Sequence, residues 1–363
     1  MTHYFSPGPA SLPTEVKDAI RNEMFDTFHI DVSILEISHR SHYYEKFNKE
    51  TLALAKEVFG VPDTHEVMFS VCGAQQHFSI LIQHLSLLKD EIAYTDTGVW
   101  AHLACEEAAR SGRKVNLIYD GSPEYKTLGN PNEWTVPANS KFVHITVNNT
   151  VYGTEYKTIP TFGDIPLVLD MTSSLGARND IPWEKTGLIY ASAQKNFGIA
   201  GVSVVIMRKD LLDASFEITK QNLLGKALSY GALFDAKSIL NTPPVAAIFV
   251  MNKMLHWIKK HGGTEAMEKL ALRKSQMIYK NFDSDFFIGR ADKEHRSRHN
   301  FPFRLPSAAQ DAHFIEQAAK HKILEIKGYK TVGGIRVSIY NGVSMESTKA
   351  MSEFMDYYKS KFG

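Results

Sequence analysis

A series of short apolar runs between residues 66 and 207, separated by helix-like segments, constrains the fold of this chain most strongly. Short runs rich in valine, isoleucine and aromatic residues predict buried strands. Their alternation with helices predicts a mostly parallel sheet with helices on both faces. The predicted fold class is therefore α/β, with a large domain built on a seven-stranded sheet. The predicted strands are Val67–Val71, Ile92–Tyr94, Val115–Ile118, Phe142–Thr146, Leu167–Leu169, Leu188–Ala191 and Val202–Met207.

The stretch 188–201 reads LIYASAQKNFGIAG and places Lys195 in a tight connection between the last two predicted strands. Lysine is among the residues least often buried without a partner. One interpretation is a loop lysine whose long side chain reaches solvent. The other is a Schiff-base lysine, whose amine must be desolvated to act as a nucleophile at neutral pH. Lys195 alone does not decide between the two interpretations.

Polar or aromatic residues follow other predicted strands, at the sheet edge where ligands of open α/β sheets bind. The small-residue turn Cys72–Gln76 opens a helix, and free backbone N–H groups at such a turn bind anions. Taken alone, Trp100 is more typical of a core residue and Asp170 of a turn cap. Together with Lys195 they match the needs of pyridoxal phosphate: a phosphate cradle, an aromatic plate, a carboxylate for the ring nitrogen and an amine. Their joint order favours this cofactor.

Composition excludes several other classes of protein. The chain has 363 residues and a net charge of +1, which gives no electrostatic reason to expect a nucleic-acid or anionic-membrane partner. Its two cysteines, Cys72 and Cys105, form no disulfide framework, so we expect a cytoplasmic protein. We identify no signal peptide, no apolar run long enough to span a membrane and no metal-binding motif.

The pattern changes after about residue 262. A long helix is predicted from Val245 to about Lys260, and a Gly-Gly pair at 262–263 ends it. Helical segments then alternate with a few strands. We therefore predict a large domain over residues 16–261 and a smaller α/β domain over 262–363, completed by the N-terminal segment 1–15.

Motifs spread nearly end to end carry a resemblance to a known family. They are FSPGPASLP at 5–13, EISHRS at 36–41, TGVW at 97–100, NNTVYGTE at 148–155, DMTSS at 170–174, YASAQKNFGIAG at 190–201, NTPP at 241–244 and VGGIRVSIYN at 332–341. With these motifs the sequence resembles the phosphoserine aminotransferases, a family of class-V aminotransferases. The resemblance implies the aspartate-aminotransferase-like fold, pyridoxal-phosphate fold type I.

The resemblance also implies a role for individual residues. Lys195 would form the Schiff base with pyridoxal phosphate and act as general base, while Asp170 would meet the pyridine nitrogen. Trp100 would stack on the ring. The other implied cofactor contacts are Ala74, Gln75, Thr150 and Gln194, together with Asn241 and Thr242 from the neighbouring subunit. The expected assembly is therefore a homodimer with shared active sites.

The substrate-binding residues implied by the resemblance are His39, Arg40, Lys330 and Arg336, which would hold anionic groups. The family usually has Gly-His-Arg before its final motif, whereas this chain has Gly328-Tyr329-Lys330. Lysine keeps the positive charge of arginine but lacks its two-pronged grip on a phosphate or carboxylate. The phosphate turn also departs from the usual pattern, a mild change because backbone groups do most of that binding.

The activity that the resemblance implies is transfer of the amino group of glutamate to 3-phosphohydroxypyruvate, giving 2-oxoglutarate and O-phosphoserine in serine biosynthesis. One alternative is an aminotransferase for an unphosphorylated 2-oxo acid such as glyoxylate or pyruvate. A second is a non-catalytic regulator that binds ligand on the same fold. The presence of both Lys195 and Asp170 argues against the regulator.

Overall fold

The computed structural model describes residues 1–282 and 285–363. Its main sheet contains seven strands in the order β2-β10-β9-β8-β5-β3-β4. Over the described residues the strands are β1 (His3–Tyr4), β2 (His65–Ser70), β3 (Glu91–Asp96), β4 (Lys114–Asp120), β5 (Val143–Thr146), β6 (Asn148–Asn149), β7 (Thr154–Glu155), β8 (Leu167–Asp170), β9 (Thr186–Ser192), β10 (Ser203–Arg208), β11 (Ile288–Gly289), β12 (Asn300–Arg304), β13 (Ile323–Leu324) and β14 (Ile335–Ser338). The seven runs predicted as strands are the strands of this sheet.

Helices cover both faces of the sheet. In the same part of the chain they are α1 (Thr14–Glu23), α2 (His42–Val58), α3 (Ala74–Leu85), α4 (Val99–Arg110), α5 (Lys209–Gln221), α6 (Tyr230–Asp235), α7 (Val245–Lys260), α8 (Gly263–Tyr279), α9 (Ala308–Lys320) and α10 (Met345–Phe362). The helix predicted from Val245 to Lys260 has those bounds, and α8 begins within the Gly-Gly pair at 262–263.

The sheet is mostly parallel, as the alternating pattern predicted. Only β10 within it runs antiparallel to its neighbours, β2 and β9. Alternate side chains of β10 enter opposite layers, as the twofold period of a strand requires. Val204 and Ile206 join the core that contains α2 and α7, whereas Val205 and Met207 join the core that contains α3 and α4. Because β3, β4, β5, β8 and β9 pair in parallel, their carboxyl ends lie at one edge of the sheet.

A further core, separate from the two on the faces of the main sheet, lies in the last third of the chain, between the sheet β11-β12-β14 and helices α8, α9 and α10. The N-terminus joins it: β1 pairs in parallel with β13, and the Phe5 ring is fully buried in this core. These contacts accord with a small domain completed by the N-terminal segment. The domain limits at residues 15 and 261 stay a prediction.

A buried ion-pair network connects the two parts of the chain. Arg298, next to β12, donates from Nε to Oε1 of Glu155 on β7 at 3.0 Å and also pairs with Glu268 on α8. Arg178 lies 3.5 Å from the same Glu155 carboxylate. Burial alone would raise the pKa of Glu155, but the cations around it, Arg298 foremost, hold it at about 2. Glu155 is therefore ionised at any pH where the protein works.

Glu155→Gln is expected to lower the free energy of unfolding by about 3–5 kcal/mol at pH 7, because it leaves buried arginines without their carboxylate. The folded-state pKa of Glu155 is depressed, so its stabilisation is complete above the unfolded value of about 4.3. It is lost as the pH falls toward about 2. The free energy of unfolding, measured with urea, should fall more between pH 7 and pH 3.5 in the wild type than in the Glu155→Gln variant.

Glu217→Gln is the control. Glu217 pairs with Lys220 on the surface of α5, where both side chains are more than half exposed. Its loss should change the free energy of unfolding by less than about 0.5 kcal/mol. Equal effects of the two substitutions would show that the buried network stabilises the fold no more than an exposed ion pair does.

Candidate active site

A cavity of about 480 Å³ opens at the carboxyl edge of the main sheet, between the sheet and the C-terminal part of the chain. Its walls come from strand ends of the sheet, the N-terminus of α3, the N-terminal segment and β14. The structure brings together in it eight of the residues predicted for the site: Ala74, Gln75, Trp100, Thr150, Asp170, Gln194, Lys195 and Arg336.

Lys195 enters the cavity from the connection between β9 and β10. The cavity leaves part of its side chain accessible, although protein atoms closely surround the ammonium. Burial lowers the pKa of Lys195 to about 8, with the Asp170 charge opposing this shift and the Arg336 charge adding to it. Nζ lies 6.0 Å from the centre of the Tyr340 ring. A neutral amine is therefore accessible near neutral pH, as a nucleophile or base requires.

Gly8 packs directly on the lysine. Its φ of +133° is a conformation that only glycine adopts readily, and a Cβ there would lie 3.4 Å from Lys195 Cγ. The backbone N–H of Ala10 also donates to the Gln194 carbonyl at 2.9 Å. The N-terminal segment thus holds the lysine connection from the side opposite the sheet.

Asp170 ends β8, beside the strand that leads to Lys195, and only 6% of it is exposed. Its Oδ1 accepts the Thr172 backbone N–H at 2.9 Å. Burial raises the pKa of Asp170, while the hydrogen bonds from Thr172 and the Lys195 charge act against the increase. An ionised carboxylate at this position therefore needs cationic or hydrogen-bonding partners.

The N-terminus of α3 forms the floor of the cavity. Gly73 is its N-cap residue and supplies no side-chain hydrogen bond. The Ala74 N–H donates to Ser192 Oγ at 2.7 Å, and Ser192 Oγ lies 2.9 Å from Ser203 Oγ. N–H groups in the first turn of a helix have no intrahelical acceptor, so this end of α3 attracts an anion. Ser192 adds a hydroxyl at the same point.

Trp100 and Thr150 form one wall. The Trp100 indole Nε1–H donates to Thr150 Oγ1 at 3.1 Å, which fixes the orientation of the ring plane. The turn before Trp100 lies very close to the strand that leads to Thr150, since a Cβ on Gly98 would fall 2.8 Å from Asn149 Oδ1. Both residues thus occupy a rigid wall that can face a flat ligand.

Arg336 enters from β14, and only 7% of it is exposed. Its guanidinium carbon lies 5.9 Å from the centre of the Tyr329 ring. Among the described residues, nothing accepts a hydrogen bond from Arg336 Nε. A buried guanidinium with an unused donor and a cavity beside it is suited to bind a carboxylate.

Comparison with known proteins places these features in a family. The model of the class-V aminotransferases matches residues 2–351. A phosphoserine aminotransferase from Desulfatibacillum aliphaticivorans is 38% identical over 363 residues, 99% of each chain. The structure of the enzyme from Bacillus circulans subsp. alkalophilus superposes with a TM-score of 0.95 at 34% identity, covering 100% of this chain and 99% of that one.

The chain belongs to the phosphoserine aminotransferase family. Its resemblance to that family is thereby confirmed, as is the fold predicted from it. A further similar structure, a phosphoserine aminotransferase from Trichomonas vaginalis described as bound to pyridoxal phosphate, has a TM-score of 0.91 at 30% identity and covers 98% of this chain and 100% of that one.

Five predicted residues lie outside the cavity of their own chain: His39, Arg40, Lys330, Asn241 and Thr242. The last two form an exposed turn before α7, and Arg40 is exposed before α2. They are thus free to contact a second subunit, and their roles stay predictions.

The departure from the family pattern at 329–330 has a structural consequence. Tyr329 lines the cavity, whereas Lys330 is exposed and is not among the lining residues. The substrate-binding role of Lys330 that the family resemblance implies stays a prediction. The structure instead places the Tyr329 ring 5.9 Å from the Arg336 guanidinium carbon.

Sequence reasoning missed several polar groups around the site. Asn148, a buried residue that lines the cavity, donates to Asn300 Oδ1 at 2.9 Å, and Asn300 donates to the Tyr340 hydroxyl at 3.1 Å. Tyr340 in turn donates to the Pro7 carbonyl at 3.3 Å. Asn148 and Tyr340 belong to family motifs, and this was the available signal. The pairing of Asn148 with Asn300 could not be read from either motif alone.

Two further observations concern other classes of function. Over residues 1–282 and 285–363, no cluster of three or more His, Cys, Asp or Glu side chains is arranged to hold a metal ion. No helix in that part of the chain combines the length and apolar character needed to cross a membrane.

The pKa of about 8 for Lys195 can be tested in the cofactor-free protein. Labelling with limiting acetic anhydride, read out by peptide mass spectrometry, should show Lys195 reactivity rising with pH around a midpoint near 8. Lys349, whose side chain is 66% exposed, is the internal reference. Asp170→Asn should move the Lys195 midpoint downward, because the carboxylate charge favours the ammonium. A midpoint unaffected by this substitution would show that the two groups do not interact.

Proposed function

We propose that this protein is a pyridoxal-phosphate-dependent aminotransferase of serine biosynthesis. It transfers the amino group of glutamate to 3-phosphohydroxypyruvate, giving 2-oxoglutarate and O-phosphoserine. One observation carries the proposal: a desolvated lysine, Lys195, and a buried carboxylate, Asp170, occupy neighbouring strand ends in one cavity. Similarity over the full length to proteins named phosphoserine aminotransferase supports the choice of reaction.

The residues present fit pyridoxal phosphate. The N-terminus of α3, with Ala74, Gln75 and the Ser192 hydroxyl, would hold the phosphate group. The indole of Trp100 would stack on the ring, with Thr150 and Gln194 beside it, and Asp170 would keep the ring nitrogen protonated. When bound, the cofactor supplies an electron sink that stabilises negative charge at the Cα of the amino acid. A cavity of about 480 Å³ is in the range of small-molecule sites.

The protein's own residues then have distinct tasks. Arg336 binds the α-carboxylate that glutamate and every 2-oxo acid share, using the donor that has no partner within the described residues. Lys195 takes the proton from the Cα of the amino acid and returns a proton to the Cα of the product. Its pKa of about 8 suits both directions of transfer near neutral pH. Gly8 and Tyr340 hold the lysine side chain over this position.

The second anionic group of the substrate requires further donors. Within one chain the cavity offers the hydroxyl of Tyr329 beside Arg336. Arg40 of a second subunit would add positive charge, His39 would add an imidazole donor, and Asn241 and Thr242 would complete the phosphate site. The proposal therefore includes a homodimer with shared active sites.

A second candidate activity has a specific observation in its favour. Lys330 stands where the family usually has an arginine. This lysine is exposed and does not line the cavity, so position 330 contributes no charge to the cavity wall. An unphosphorylated 2-oxo acid such as pyruvate or glyoxylate would need no donor there. The absence of a charge pattern for nucleic acid or membrane binding is consistent with a cytoplasmic enzyme in either case.

The deciding measurement is the ratio of kcat/KM for 3-phosphohydroxypyruvate to that for pyruvate, with glutamate as donor. We expect the phosphorylated acid to be preferred by about tenfold or more, since one charge-assisted hydrogen bond is worth about 1.5–3 kcal/mol. Lys195→Ala should abolish turnover with both acids, while Lys349→Ala, an exposed change on α10, should alter neither. A ratio below one would assign the protein to the second candidate.

The shared site predicts complementation between inactive subunits. Lys195→Ala removes the base of its own chain, and Thr242→Arg blocks the phosphate site of the partner. Mixed refolding of the two variants should restore activity, because one of the two sites in a mixed dimer receives neither change. A mixed dimer shown by native mass spectrometry yet inactive would place the whole site within one chain.

A further inference from the structure

Behind Asp170 lies a chain of buried polar side chains that the reaction does not use directly. Asp170 on β8 pairs in register with Tyr190 on β9 and with Thr146 on β5. His144 precedes Thr146 by two residues, so its side chain projects from the same face of the sheet. Tyr190 and His144 are fully buried, and the Tyr190 hydroxyl lies 3.0 Å from His144 Nε2.

The hydrogen positions in this chain follow from counting hydrogen bonds. His144 is neutral, because burial lowers its pKa to about 3. If Nδ1 carried the proton, Nε2 would accept the only hydrogen of the Tyr190 hydroxyl, and Asp170 would receive none from Tyr190. If Nε2 carries it, His144 donates to Tyr190, and the hydroxyl is free to donate to Asp170. The second arrangement makes one more hydrogen bond, and that bond is charge-assisted.

The environment of Asp170 agrees with this direction. Burial raises the pKa of the Asp170 carboxyl, and the hydroxyl of Tyr190, its register partner on β9, acts against this increase. The other groups that act on Asp170 are Lys195 across the cavity and the backbone and side chain of Thr172. On the far side, the ring of His144 stacks on Tyr94 at 4.7 Å, and His77 lies 5.6 Å from the Tyr190 ring. His77 is also kept neutral by burial, so no further charge enters from that side.

We propose that His144 and Tyr190 form a directional hydrogen-bond relay, from His144 Nε2–H to Tyr190 Oη and from Tyr190 O–H to Asp170, that keeps Asp170 ionised and aimed at the protonated ring nitrogen of the cofactor. Both are positioning residues that act through Asp170. The inference rests on the proposed function, because it assumes that pyridoxal phosphate occupies the cavity.

Tyr94 provides a matched control. Like Tyr190 it is fully buried in the same core, and it stacks on His144. Its hydroxyl, however, has no hydrogen-bond partner among the described residues. Tyr190→Phe and Tyr94→Phe therefore remove the same atom from the same layer, and only the first interrupts the relay.

The experiment titrates the holoenzyme from pH 8 downward and measures the cofactor released, by absorbance and by ultrafiltration. Protonation of Asp170 ends its attraction for the ring nitrogen, so release marks the acid limb of this group. Tyr190→Phe should move the midpoint of release upward by about one pH unit or more, since it removes a hydrogen bond to a charged group. Tyr94→Phe should leave the midpoint unchanged. Circular dichroism at each pH separates release from unfolding.

His144→Leu tests the direction of the relay. Alone it should shift the midpoint upward by less than Tyr190→Phe, because the Tyr190 hydroxyl still donates but is no longer polarised by His144. Combined with Tyr190→Phe it should add nothing, since its effect passes through the hydroxyl. This double comparison remains informative if one variant folds less well than the wild type.

The outcomes separate the relay from the proposed function. A wild type that binds no pyridoxal phosphate overturns both. A wild type that binds it, with equal midpoints for the two tyrosine variants, overturns the relay alone. An additive effect of His144→Leu in the Tyr190→Phe background would also overturn the relay, because His144 would then act on Asp170 by another route.

Discussion

The proximity of Lys195 and Asp170 depends on one constraint, the pairing of the parallel strands β8 and β9. Neighbouring parallel strands end at the same edge of a sheet. Strand pairing alone therefore brings together the acid that ends β8 and the lysine that follows β9. The cost is the desolvation of two ionisable groups. It is offset by their mutual attraction, by the hydrogen bonds from Thr172, and by an open cavity that a ligand can fill.

The rest of the fold encloses this pair. The C-terminal part of the chain sends Arg336, Tyr340 and Asn341 toward it from one continuous segment. Asn341 donates to the carbonyls of Gly176 and Asn196, which lie in the connections that follow β8 and β9. The loop after Asp170 and the loop that carries Lys195 are therefore held by the same side chain. A shift of the C-terminal part would therefore displace both loops, and with them Asp170 and Lys195.

The sheet could be predicted from the sequence because each strand is a separate apolar run. The meeting of Asp170 and Lys195 in one cavity could be predicted because the first ends such a run and the second closely follows one. What could not be predicted depends on contacts across the chain. Ser192 meets the α3 N-terminus only because β9 and β10 pair in the observed register. The opposite directions of Tyr329 and Lys330, neighbours in sequence, depend on how the connection before β14 packs. The charge of Lys330 made it the expected substrate contact, whereas Tyr329 is the residue that lines the cavity.

The site also illustrates a conflict that burial alone cannot resolve. Burial lowers the pKa of Lys195, which suits a base, but it raises the pKa of Asp170, which opposes an anion. Their mutual attraction helps Asp170 and hinders Lys195, because it favours the charged form of both. Lys195 and Asp170 therefore each need a further interaction that shifts the pKa of that group alone. Arg336 acts on Lys195 by repulsion, while Thr172 donates its backbone N–H to Asp170 and, in the proposed relay, Tyr190 donates its hydroxyl. If Arg336 binds the substrate carboxylate as proposed, its repulsion of Lys195 would fall, and the lysine would become a stronger base once the substrate is in place.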